Sequence, residues 1–574
     1  MTRINAVAKI TTLLAALVLF SGADGQPASR PAASRQWNIF VEDFIDSHFA
    51  AHPDKAVHAG RHAYDGKLPD WSRVGLQRER ARLRAKRDKA LSFDPAALDD
   101  RQRLEREYLL AVVDRNLFWL DSAAWPYRNP YFYEAALDPN VYLTLPYAPL
   151  EQRMRAYIAY ARAIPGAVGQ IRDNLSLPLA RSHLDIGLTS FSRLASYYER
   201  EVPAVFAAVK DPRLQKEFRT SNAAAAQAMK SMAAWLETKR ATASDDFALG
   251  AERFREMLWK TERVDVPLET LEKAGREDLE RNLASLSTAC AEYAPGRSIA
   301  ECVAMVQAKK PKGGVVDVAR RQLDELRAFI LEKKLVAIPG SEEALVAEAP
   351  PYKRFNPAYI DIPGPYEKGL PSVYYIAPPD PSWSVEERNA YIPGTANLLF
   401  VSAHEVWPGH FLQFLHANRA ASKFGQLFVG YAFAEGWAHY AEELMWEAGL
   451  GNGDPATHIG QLLNALLRNV RFISAIGLHT GGMTLAESER MFRDTAFQDP
   501  GNARQQAARG TFDPAYLNYT MGKLMIRKLR ADWTASRGGR RAWPVFHDQF
   551  LSFGGPPIPL VRKAMQGSDG GALF

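Results

Sequence analysis

Apolar residues recur along most of the chain at the spacing of an amphipathic helix. Across residues 99–121, Leu104, Tyr108, Ala111 and Val112 fall at i, i+4, i+7 and i+8, behind the candidate N-caps Asp99 and Asp100. Residues 149–164 carry Leu150, Met154, Tyr157, Ala161 and Ile164 on one stripe, and the pattern predicts a stop at Pro165-Gly166. Residues 315–334 place Val316, Ala319, Leu323, Leu326 and Ile330 in a regular three–four alternation. The texture changes at 350: nine prolines fall between Pro350 and Pro381, a density that no helix accommodates. Within that stretch Ser372–Ile376 reads as a short strand, and Phe355 to Ile362 as a second. Helical pattern resumes near Thr395. The prediction is a mainly α protein, with a helical half over residues 37–349 and a second half over 350–574 that adds short strands. The two halves are expected to share one cleft.

Length and composition narrow this. The chain has 574 residues, 47% hydrophobic and 24% charged, which excludes a mostly disordered, collagen-like or polytopic membrane protein. The net charge is +6, with the basic excess toward the C-terminal end, spread along helices without a dense run. A solvated surface is the expectation, and no nucleic-acid partner. At the start, Arg3 and Lys9 precede an apolar run from Ile10 to Phe20, and small residues follow at Ser21-Gly22-Ala23 or Ala23-Asp24-Gly25. Residues 1–25 therefore read as a signal peptide, too short in its apolar part to span a ~30 Å hydrocarbon core. No cysteine follows the run, so no lipid anchor or other stable membrane anchor is expected after cleavage. The mature chain is expected to be exported, periplasmic or secreted. Residues 26–36 are rich in Pro, Ala, Ser and Arg and are expected to be a disordered leader. Export also permits Cys290 and Cys302 to pair across the turn signal Ala294-Pro295-Gly296, and a disulfide is expected.

Candidate chemistry is concentrated in the second half. His404, His410, His416, His439 and His479 lie there. The segment His404-Glu405-Val406-Trp407-Pro408-Gly409-His410 follows the apolar run Ala396 to Ala403. A zinc hydrolase needs two neutral imidazoles, a third ligand, and a carboxylate able to deprotonate the attacking water. The short solution spaces the histidines at i and i+4; here the second is at i+6. On a straight helix six residues turn ~600° and rise ~9 Å, too far apart to share one ion. Pro408 and Gly409 change that, because proline cannot donate to the carbonyl of His404 and glycine admits conformations closed to other residues. A local bulge is expected to bring His410 back beside His404; a kinked core helix is the alternative. Downstream, Ala434-Glu435-Gly436-Trp437-Ala438-His439-Tyr440-Ala441-Glu442-Glu443 is an apolar helix interrupted by acids. A glutamate on an apolar face is costly unless paired or ligating, so Glu435 is the natural third ligand. Glu442 and Glu443 are expected to face solvent or to stand behind the ligands.

These motifs, with Gln413, His52-Pro53 to Tyr64-Asp65, Arg471, Gly477-Leu478-His479, Pro514, Tyr519 and Gly522, resemble the bacterial DUF885 family. That family is similar to the gluzincin metallopeptidases. The resemblance implies a large helical zincin-like fold with a small β-sheet beside the cleft. It implies one Zn2+ held by His404, His410 and Glu435, with Glu405 as general base and with His479 and Tyr519 facing the substrate. Arg471 is expected either to bind a peptide carboxylate or to form a structural ion pair. Gln413 and Tyr374 are further candidate substrate contacts; Tyr374 and Tyr375 alternate on the expected strand, so at most one lines the cleft. The expected function is a zinc-dependent peptidase acting on short peptides. The alternatives are a non-catalytic peptide-binding or scaffold protein that keeps the fold, and hydrolysis of a non-peptide amide or ester.

Overall fold

A computed structural model describes residues 30–354, 356–567 and 571–574. The expected signal segment lies outside these residues. The first described helix, α1 (Arg30–Ala51), begins inside the stretch expected to be a disordered leader. Residues 30–36 are ordered because they dock: Ala33 is buried, and the Gln102 amide donates to the carbonyl and hydroxyl of Ser34.

The N-terminal part is a layer of long helices. Asp99 and Gln102 form a capping box that starts α2 (Asp100–Leu117), which continues as a π-helical turn through Ser122. α3 (Leu150–Asn174) runs straight through Pro165-Gly166, against the expected stop. Pro165 lies on the exposed face, while Ala167, Val168 and Ile171 extend the buried stripe, and that burial outweighs one lost hydrogen bond. α3 packs with α4 (Arg181–Phe206) and α5 (Pro212–Glu237). Together these helices enclose a first apolar core around Trp37, Phe44, Tyr133, Tyr157 and Tyr198.

A second core is built mostly from residues 249 to 565 and also takes in Phe118 and Ala123. The cores thus divide near residue 240, well before the change in sequence texture at 350. The second core includes α6 (Leu268–Tyr293), α7 (Ile299–Gln307) and α8 (Val315–Lys333). Cys290 of α6 and Cys302 of α7 are joined in a disulfide with Cα atoms 5.7 Å apart. Next come three strands, β1 (Ala344–Glu348), β2 (Ala358–Asp361) and β3 (Ser372–Ile376). Their order is β1-β3-β2, with β3 parallel to β1 and antiparallel to β2. β1 was not legible in the sequence, and the strand expected at 355–362 narrows to β2. Behind the sheet lie α9 (Thr395–Glu405), α10 (His410–Ala417), α11 (Tyr431–Glu447), α12 (Pro455–Thr480), α13 (Pro500–Phe512) and α14 (Asn518–Ala535). α12 starts on the cap Asp454 and is buried along nearly its whole length, packing on α6 and α9. α11 crosses α14 closely: a Cβ at Gly436 would lie 2.5 Å from the Cα of Gly522. That contact brings Glu435 toward the centre of the molecule.

Phe424 and Phe428 reach from the second half into the first core, and Tyr108 donates to the carbonyl of Phe428 at 2.7 Å. Between the cores lies a cavity of about 1870 Å³ with walls drawn from both. Among the described residues no helix is long and apolar enough to cross a membrane.

The disulfide ties two helices of the second core. Replacing both cysteines by serine is expected to lower the unfolding free energy by about 2–4 kcal/mol, seen as a lower denaturant midpoint, and oxidised native protein should titrate no free thiol.

Candidate metal centre

His404 sits in the last turn of α9 and Glu405 ends it. The chain then breaks: Val406 leaves helical geometry, the Trp407–Pro408 peptide is cis, and α10 starts afresh at His410. The expected bulge within one helix is thus a full break between two. Pro408 offers no N–H to the carbonyl of His404. The Gly409 N–H donates instead to Ala403 at 2.9 Å, and a Cβ at Gly409 would lie 1.8 Å from the His404 carbonyl oxygen. Trp437, two residues after Glu435 on α11, donates from its indole to the Pro408 carbonyl at 2.8 Å. The helix that carries the third candidate ligand therefore also holds the break in place.

The break brings the two imidazoles together, with ring centroids 4.8 Å apart and planes at 88°. Glu435 Oε2 lies 3.3 Å from His404 Nε2 and 3.2 Å from His410 Nε2. The donor atoms of all three lie within 4.8 Å of one another. Glu435 Oε2 is buried and satisfied by no hydrogen bond of acceptable geometry. Behind His404, Nδ1 meets Glu442 Oε1 at 2.7 Å, and Glu442 in turn forms an ion pair with Arg468 at 3.3 Å. Arg468 is braced by Asn464 at 2.8 Å.

The imidazoles and carboxylates set one another's charge. Burial alone would raise the Glu435 carboxyl, yet His410 and His404 hold it well below the usual range. Burial opposes a charged His404, but Glu435 and Glu442 on its two nitrogens push its pKa up to about 9. Burial is likewise outweighed at Glu442, which Arg468 and His404 keep ionised. Glu405 differs: burial raises its pKa, with His404 and His410 opposing. Among the described residues it forms no hydrogen bond or ion pair, and it lines the cavity beside His404, His410 and Glu435.

Other expected site residues divide. Tyr519 lines the cavity with its ring stacked on His404, centroids 6.1 Å apart. Arg471 lines it too, 93% buried, its guanidinium 4.9 Å from the Tyr519 ring centroid. His479 does not reach the site. Its Nε2 meets the Gly510 carbonyl at 2.8 Å and its Nδ1 accepts from the Leu249 N–H, so the ring joins backbone segments. Burial lowers its pKa to about 4, and it acts as a neutral structural group. Tyr374 points into the second core toward Ser402, because β3 is the central strand and Tyr374 is on its buried face. Tyr359 of the edge strand β2 lines the cavity in its place. Gln413 is fully buried, donating to the Gly554 carbonyl at 3.0 Å, and does not touch the cavity. Glu442 and Glu443 are both buried, not solvent-facing; Glu443 joins Lys523, Arg281 and Arg527 in a separate charge network. His439 is buried with both ring nitrogens unpartnered, 3.6 Å from Glu442, and belongs to the packing behind the site.

Of the two places expected for Glu442, it takes the one behind the candidate ligands. Arg468 was missed as a neighbour of the site; it lies one turn before Arg471 on α12, so helical spacing carried a signal for it.

The chain belongs to the family described as "Bacterial protein of unknown function (DUF885)", whose model matches residues 53–565. Two solved structures, each described as a "putative lipoprotein", share its fold. One, of unknown function, is from Shewanella oneidensis: 22% identical, covering 94% of this chain and 100% of that one, with a TM-score of 0.77. The other is from Colwellia psychrerythraea: 16% identical, covering 93% and 99%, also with a TM-score of 0.77. No curated protein matches the chain.

Two outcomes follow from this geometry. In metal-free protein His404 should keep its proton up to about pH 9, and Glu435→Gln should lower that value, because burial then acts with one carboxylate fewer to oppose it; NMR titration of the imidazole signals reads both. Gly409→Ala should destabilise the protein by about 1–3 kcal/mol, since the added methyl meets the His404 carbonyl; a denaturant transition measures it.

Proposed function

We propose that the protein is a zinc-dependent peptidase of the gluzincin kind, exported, and acting on short peptides within the cavity. The observation that carries this reading is Glu405. It is a carboxylate beside three convergent ligand groups, open to the cavity and committed to no partner among the described residues. A purely structural metal site closes its coordination and has no use for such a group.

His404, His410 and Glu435 would hold the ion, and the unsatisfied buried oxygen of Glu435 fits that role. Glu442 fixes the His404 tautomer by accepting a hydrogen bond from its Nδ1–H, as carboxylates behind metal-bound histidines do. When bound, zinc supplies a Lewis acid that activates water and polarises a carbonyl. Glu405 takes the proton from the attacking water and passes it to the leaving amine; its raised pKa brings it toward the range in which one group does both. Tyr519 is the candidate donor to the developing oxyanion. β2 lies at the sheet edge and its residues line the cavity, which suits an extended peptide held by backbone hydrogen bonds. Export rests on the signal-like N-terminal pattern and the disulfide, and it accords with the lipoprotein description of the two structural relatives.

The test compares two isosteric variants. Glu405→Gln is expected to keep zinc and stability but to lose turnover by about 10²-fold or more. Glu435→Gln is expected to lose zinc first, read by elemental analysis after dialysis. Wild type should cleave a mixed peptide library, with activity lost to a chelator and restored by zinc. A fully zinc-loaded wild type that cleaves nothing in that library would replace this reading with a peptide-binding protein.

A further inference from the structure

Three arginines converge on the Tyr519 ring, with guanidinium carbons 5.9, 4.9 and 5.9 Å from its centroid for Arg468, Arg471 and Arg509. Two of them are already matched. Arg468 pairs with Glu442 and Asn464, and Arg509 pairs with Asp513 at 2.8 Å and donates to the Tyr431 hydroxyl at 3.0 Å. Arg471 is not. Its Nε donates to Gln506 at 2.8 Å, and among the described residues no carboxylate lies in salt-bridge range and its terminal nitrogens donate no hydrogen bond. It is nevertheless 93% buried and faces the cavity.

A buried cation without an anion is costly. Burial and then the neighbouring Arg509 lower its pKa to about 10, which still leaves it charged at neutral pH. An anion arriving from the cavity would relieve that cost, and the planar guanidinium fork matches a carboxylate in two parallel hydrogen bonds. Position narrows the anion further. Arg471 and the candidate ligand His404 both pack on the Tyr519 ring, 4.9 Å and 6.1 Å from its centroid, so they lie at most about 11 Å apart. That separation corresponds to about one to three residues of extended chain at ~3.4 Å each.

We propose that Arg471 binds the C-terminal carboxylate of the substrate, so that the bond cleaved lies within the last one to three residues of a peptide. The inference rests on the peptidase reading above and adds its substrate class: short peptides, or acylated amino acids, with a free terminal carboxylate.

Pairs of acetylated tetrapeptides, each made as the free acid and as the C-terminal amide, test it on the full zinc-loaded protein. Wild type should show a kcat/KM at least about 30-fold higher for acids than for amides. Arg471→Gln should bring that ratio near one with zinc content unchanged. Gln506→Glu keeps the arginine and gives it an internal carboxylate, so it should cut the ratio about tenfold, and it decides the matter if Arg471→Gln does not fold. A wild-type ratio near one, or a preference that survives Gln506→Glu and a folded Arg471→Gln, overturns the proposal. Calorimetric binding of the same pairs separates it from the peptidase reading. Acid-selective binding that needs Arg471, without turnover, keeps this inference and removes the peptidase; turnover without acid preference does the reverse.

Discussion

Two imidazoles on different helices share one buried carboxylate, and the geometry of the site depends on that meeting. His404 closes α9 and His410 opens α10, so neither could reach Glu435 if the helix continued. The chain is turned by Pro408 and Gly409, one lacking a donor and the other lacking a side chain. The turn is then fixed by Trp437 from the helix that supplies Glu435. Sequence, break and carboxylate are thus locked together: α11 can bring Glu435 in only because Gly436 lets it approach Gly522 on α14.

The charges around this point are arranged in layers. Glu435 faces the donor atoms, Glu442 stands behind His404, and Arg468 stands behind Glu442. One residue further along α11, Glu443 joins Asp278 of α6 in neutralising Lys523, which is itself fully buried. Breaking one member of such a chain leaves an uncompensated buried charge, which costs far more than the pair contributes. Glu405, beside His404, has no ion-pair partner among the described residues.

Much of this was legible in the sequence. The convergence of His404, His410 and Glu435 stood out because glutamates on apolar helical faces need a reason, and because Pro408-Gly409 offered a way for an i+6 spacing to close. β3 was read at its observed limits from its alternation. The misreadings share a cause. Gln413 and His479 were placed by motif and Tyr374 by strand alternation, but burial decides what a polar group does, and burial depends on which neighbours the fold supplies. β3 turned out to be the central strand, so Tyr374 faces the core. Gly510 and Leu249, remote in sequence from His479, absorb both its nitrogens. Pro165 misled in the opposite direction: a local rule yielded to a long buried stripe on α3. The boundary between the cores left no compositional mark, because helices on either side of residue 240 share the same amphipathic texture.

The cavity between the cores has a consequence for selectivity. The candidate ligand groups all lie in the C-terminal half, yet residues of the N-terminal helical part, among them Tyr131, Glu134 and Arg193, form part of the wall. The shape of the cavity is therefore set in part by a stretch of chain that holds none of the convergent groups. Substitutions in that wall can remodel the cavity while leaving His404, His410 and Glu435 in place.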